Sequence, residues 1–81
     1  MKTFSINIHE FLKKFNQEYR FLYDNYDRVA GYGEAVDAFD AFAPQHKVFV
    51  SEFVKIRGDF ISSDREAAAF MFALESLGAL A

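Results

Sequence analysis

Apolar residues recur along the first third of the chain at Ile8, Phe11, Leu12, Phe15, Tyr19, Leu22, Tyr23 and Tyr26. Advancing 100° per residue, they share one arc of about 120°, which predicts an amphipathic helix over 8–28. Its start is marked twice. Asn7 can cap it, with Glu10 three residues on in an Asn variant of the capping box, and Ile6 and Phe11 have the spacing of a hydrophobic staple. Gly31 and Gly33, on either side of Tyr32, then interrupt the pattern.

A shorter helix is predicted over 34–42, with Ala35, Val36, Phe39 and Phe42 on one face and Glu34, Asp37 and Asp40 on the other. Ala43 precedes the only proline, Pro44, and a residue before proline is biased away from helix. Pro44 suits the first position of a third helix, where its missing N–H costs nothing, so that helix is placed over 44–57. Its buried face would carry Phe49, Val50, Phe53, Val54 and Ile56, and Gly58 would end it. A strand over 47–50 competes, because β-branched and aromatic residues crowd there. The period across Phe49, Phe53 and Ile56 favours helix. Ser63 with Glu66 makes a second capping-box pattern, Asp64 suits the positive end of a helix dipole, and a fourth helix runs over 64–77 to Gly78. The expected fold is all-α: a compact single-domain bundle of about four helices (8–28, 34–42, 44–57, 64–77) within residues 1–81. Residues 2–6 alternate weakly, and a strand there would lack an obvious partner.

Composition adds a constraint. The chain has 81 residues, with eleven Phe, four Tyr and no Cys. A domain this small buries roughly 60–65% of the surface its unfolded chain exposes. It has no disulfide or thiolate metal site to add stability, so dense apolar packing must supply it. Each fully buried Phe contributes roughly 1.5–3 kcal/mol. So many rings strain the capacity of a small interior, and rings left outside mark a partner surface. Phe21 is one candidate, pointing away from the aromatic arc among Glu10, Lys14, Gln17 and Asn25. It is either an incidental exposed ring or a partner anchor. The fourth helix is apolar on two sides. Ala67, Phe70, Met71, Leu74 and Leu77 form one stripe; Ala68, Ala69, Phe72 and Ser76 form the other. Either this is the central helix of a monomer, or its second stripe is a homodimer seam.

The formal net charge is -3. An acidic balance argues against generic nucleic-acid binding, which needs clustered Lys and Arg. Glu34, Asp37 and Asp40 form either a solvated face or a docking surface for a basic groove. Tyr19, Tyr23, Tyr26 and Tyr32 read as core-edge residues with hydroxyls reaching water, because a base-stacking platform would need a basic surround.

Catalytic and ligand motifs do not appear in the sequence. There is no phosphate loop, no HExxH and no nucleophile elbow, and His9 and His46 have no second His at metal spacing. No catalytic residue, metal or cofactor is assigned. No stretch is long and apolar enough to span a bilayer, and residues 2–9 are too polar for a signal peptide's apolar core, so a cytoplasmic location is expected.

The combined reading is a small acidic, non-enzymatic protein-binding module that inhibits or regulates a larger protein, for instance one that handles nucleic acid, by occluding a surface, as inhibitors encoded by phages and mobile elements do. The partner would be a larger protein with a basic surface. Its contacts would be Phe21, Glu34, Asp37 and Asp40, with Ala68, Ala69, Phe72 and Ser76 for self-association. The alternative is a helix-turn-helix-like DNA-binding regulator reading through Gln45, Lys47, Ser51, Lys55 and Arg57 on the 44–57 helix.

Overall fold

Residues 6–79 are described in the computed structural model, and they form four helices with no strand among them. The strand considered for residues 2–6 lies, apart from Ile6, outside the described residues. Helix α1 spans Ile8–Asn25. The Asn7 side chain caps it, accepting from the backbone N–H of His9 at 2.9 Å and of Glu10 at 3.2 Å. The predicted extension to residue 28 is a tighter turn, a 3-10 segment over Tyr26–Arg28.

Helix α2 spans Tyr32–Gln45, longer at both ends than predicted. At its start, Gly31 takes a left-handed conformation (φ 82°) that directs the chain into the helix. Gly33 then sits in the first turn, where backbone N–H groups have no intrahelical partner and the weakness of glycine matters least. At the other end the helix runs through Pro44 instead of stopping at Phe42. Proline within a helix forfeits one backbone bond, but the helix ends a residue later, so little remains to be disrupted. The carbonyls of the last turn have donors. Gln45 Nε2 donates to the Ala41 carbonyl at 3.2 Å, and the His46 N–H reaches those of Phe42 and Ala43 at 3.1 and 3.2 Å. The His46 ring stacks on Phe42, centroids 4.1 Å apart.

His46 is the one residue between α2 and α3, which spans Lys47–Arg57. Pro44 therefore belongs to the end of α2 and does not open α3. The 47–50 segment is helical, as the longer period implied. Gly58 ends α3 in the left-handed conformation, its N–H donating to the Val54 carbonyl at 2.8 Å. Ile56, expected inside, lies at the surface, and Phe53 is the fully buried residue of this helix. Helix α4 spans Asp64–Ser76, capped by Ser63, and the chain turns at Gly78.

Ring contacts give the helix directions. Phe49 and Phe53 of α3 meet Phe11, and Arg57 lies over Phe15 and Tyr19, so α3 runs in the same sense as α1. On α4, Arg65 lies over Tyr23 and Tyr26 at the far end of α1, whereas Phe70 meets Phe11 near its start. Helix α4 therefore opposes α1. Phe39 and Phe42 of α2 also meet Phe70, while Tyr32 lies near Asp64 and Arg65, so α2 runs with α4. Successive helices alternate in direction, as in an up-down-up-down bundle. The radius of gyration is 11.7 Å, about that of a well-packed chain of this length.

Helix α4 is the axis of this arrangement. Residues Glu66 through Met71, with Ala73 and Leu74, are buried, and its main packing is against α1 and α2. Its alanines let those helices approach closely. Phe70 contacts rings from all three other helices: Phe11 at 4.8 Å, Phe39 and Phe53 at 5.2 Å, Phe42 and Phe49 at 5.8 Å. The pairs are edge-to-face or tilted, the geometry that sets the positive rim of one ring against the negative face of another.

Phe70→Ala removes this common partner. It is expected to lower stability by about 3–5 kcal/mol, much of what a domain of this size has. Phe21→Ala, on an exposed ring, is expected to change it by no more than about 0.5 kcal/mol. Urea unfolding followed by circular dichroism measures both.

Candidate functional site

The polar chemistry inside this domain centres on Arg57 and Glu66. The Ser63 cap accepts from the Glu66 N–H at 3.2 Å. In return, Glu66 Oε1 accepts from the Ser63 hydroxyl at 2.9 Å and from the Ser62 N–H and hydroxyl, each at 3.1 Å. The capping box read from the sequence is therefore present in a shifted form, with the carboxylate reaching the backbone one residue before the cap. The other oxygen, Glu66 Oε2, pairs with Arg57 Nη2, and both side chains are largely buried. Arg57 Nη1 donates to the Phe60 carbonyl at 3.0 Å, and its guanidinium lies 4.9 Å from the Phe15 ring centroid and 5.9 Å from that of Tyr19. Burial by itself raises the Glu66 carboxyl. The bonds from Arg57, Ser63 and Ser62, with the charge of Arg57, outweigh it and hold the group below its ordinary range.

A second constellation continues along α1. Tyr19 and Tyr23 meet edge-on at 6.2 Å. The Arg65 guanidinium lies 5.3 Å from Tyr23 and 4.4 Å from Tyr26, and Tyr26 is 5.4 Å from Tyr32. The contacts run from Phe15 in the core, past Arg57 and Tyr19, to Tyr23 at the surface, which is 58% exposed. Arg65 Nε is buried with no hydrogen-bond partner among the described residues, and what the guanidinium meets is ring faces. Burial, with the nearby Asp64 carboxylate, raises the Tyr32 phenol above its ordinary value, Arg65 opposing and Tyr26 adding.

The residues singled out from sequence fall into different settings. Phe21 is 55% exposed, and Glu34, Asp37 and Asp40 are exposed along α2 without an ion pair among the described residues. Ala68 and Ala69 are fully buried within the chain, so they offer no surface to a second copy; the stripe reaches the outside only through half-buried Phe72 and exposed Ser76. Lys47, Ser51 and Lys55 are exposed on α3. Arg57 is committed to Glu66 with 14% of its side chain exposed, and the Gln45 amide donates back to its own helix, so the DNA-reading set does not form one free surface. A one-residue joint also replaces the three- or four-residue turn of a helix-turn-helix.

Sequence reasoning missed Phe60, whose ring is 73% exposed on the α3–α4 loop, and the inward roles of Arg57 and Arg65. The spacing of Ser63 and Glu66 pointed to half of the Arg57 site; nothing local marked the other half. No group of three His, Asp or Glu side chains that could hold a metal comes together among the described residues. No helix among them is long and apolar enough to cross a membrane. Compared with protein-family models, curated proteins and solved structures, the chain matches none.

The ion pair gives stability a defined pH dependence. Because the folded carboxyl titrates below its unfolded value, the contribution of Glu66 is fully present above the unfolded value, about 4.3. It is lost as pH falls through the folded one. Glu66→Gln should therefore narrow its stability gap from the parent as pH drops below about 4. At neutral pH, Arg57→Met or Glu66→Leu alone should cost about 3–5 kcal/mol by stranding a buried charge, and the double variant markedly less than the sum. Chemical denaturation of the four proteins completes the cycle.

Proposed function

We propose that this chain is a small, non-enzymatic protein-binding module that inhibits or regulates a larger protein by covering part of its surface. One observation carries the reading. After the core is filled, Phe21, Tyr23 and Phe60 remain exposed, and so do carboxylates such as Asp24, Asp37, Asp40 and Asp59, none with an ion pair among the described residues. Aromatic rings supply most of the energy at protein interfaces, and unpaired carboxylates favour a basic counterpart and speed encounter with it. The acidic stripe Glu34, Asp37 and Asp40 extends this character along α2. The partner is accordingly a protein with a basic surface, such as one that handles nucleic acid. We place the interaction in the cytoplasm, where a chain without cysteine forgoes no disulfide.

The test is capture on the tagged chain from source or host cells, with and without nuclease, read by mass spectrometry. One protein recovered in comparable amount under both conditions is the expected result. Recovery that depends on intact nucleic acid would shift the reading to DNA binding. With the captured protein purified, Phe21→Lys and the pair Asp37→Lys/Asp40→Lys should each weaken binding at least about tenfold at unchanged helical circular dichroism. Unchanged affinity in both would remove these residues from the interface.

A further inference from the structure

The α3–α4 loop, residues 58–63, carries the most exposed aromatic ring among the described residues, Phe60 at 73%. Exposure alone says little, since single apolar side chains are common at protein surfaces. What sets Phe60 apart is how firmly its backbone is held beneath an unheld ring. Its N–H donates to Asp59 Oδ1 at 2.9 Å, and its carbonyl accepts from Arg57 Nη1 at 3.0 Å. That guanidinium is itself fixed by buried Glu66 and by the Phe15 ring. Two residues further on, the Ser62 N–H is tied to the same Glu66 carboxylate. The buried ion pair thus holds the loop at Phe60 through Arg57 and again at Ser62 through Glu66. Burying an ion pair is often no more stabilising than burying apolar residues of like size, so its position between the two ends of this loop calls for a reason other than stability.

We propose that Phe60 is a preformed anchor for a partner protein, filling an apolar pocket whose rim is basic. The proposal rests on the protein-binding reading and adds to it a contact residue and the chemistry of its receptor. A ring presented on a fixed backbone loses little conformational freedom on docking, which is how anchor residues gain affinity. The charges around it define the rim. Asp59 on the loop and Asp64 at the start of α4 are exposed and have no ion pair among the described residues, while Arg57, the cation that ends α3 just before the loop, is turned inward to Glu66. A pocket edged with Lys or Arg complements that surround, and a phosphate backbone does not.

The experiment places photoreactive benzoylphenylalanine at position 60, at position 21, or at Val48, an exposed residue of α3, in the full chain, and irradiates it in source or host cells. Cross-linking of one other protein from position 60, and none from position 48, is the expected result. The binding of that protein, once purified, should weaken at least about tenfold for Phe60→Ser, with helical content unchanged. Glu66→Gln tests the ion pair's hold on the loop separately. Hydrogen exchange at the Phe60 and Ser62 amides should quicken, and affinity for the same protein should fall. Equal affinity with a loosened loop would overturn the preformed character. Cross-linking from position 21 but not 60 overturns the anchor and leaves the protein-binding reading standing. Cross-linking from none of the positions overturns both. A product containing only a second copy of this chain overturns the proposed partner.

Discussion

The edge-to-face meeting of Phe70 with the phenylalanines of α1, α2 and α3 is the contact on which the rest of the fold depends. A chain of this size without disulfides has one interior and must fill it densely. Rings suit the task because each covers a large area with few rotatable bonds. They also restrict the solution. A planar ring that must present its edge to one neighbour and its face to another admits few arrangements, and the alternating helix directions bring Phe11, Phe53 and Phe70 together at the required spacings. Alanines at 67, 68, 69 and 73 let the surrounding helices close on α4 around that centre.

Charge inside this core plays a different part. The Arg57–Glu66 pair lies at the margin of the aromatic cluster, where Phe15 and Tyr19 cover the guanidinium. Arginine suits such a place because its flat, weakly hydrated cation can rest on a ring while its N–H groups point to acceptors in the plane. The same side chain thereby ties α3 to α1, α4 and the loop before α4. Farther along α1, Arg65 repeats the stacking on Tyr23 and Tyr26 without a carboxylate. The two arginines show how one residue type can organise either a hydrogen-bonded joint or an aromatic one.

Features that depend on neighbours in sequence were legible before the structure. Asn7, Ser63 and Gly58 act at helix ends through atoms two to four residues away, and the period of α1 shows which of its residues face inward. Pro44 was misread because a proline signal states a backbone preference without saying which of two adjoining helices will absorb it. Tyr23 lies on the apolar arc of α1 yet is exposed: α3 ends at Arg57, over Phe15 and Tyr19, and where a neighbouring helix ends is not written in the period of α1. Arg57 was grouped with surface cations because Glu66, nine residues later, reaches it only when the loop folds back. That Ala68 and Ala69 on the second face of α4 are buried within the chain follows from how the other helices surround it, which the period of α4 alone does not show.

The position of α4 in the chain has a consequence for synthesis. The three helices that pack around Phe70 are all made before it. While the chain grows, α1, α2 and α3 leave the ribosome with Phe11, Phe15, Phe42 and Phe53 ready to pack but without the helix that joins them. Such rings adhere to one another and to other chains until that helix arrives. The nascent protein is therefore most vulnerable to aggregation and to chaperone capture just before Phe70 emerges, and rare codons or stalls in that stretch prolong the exposure.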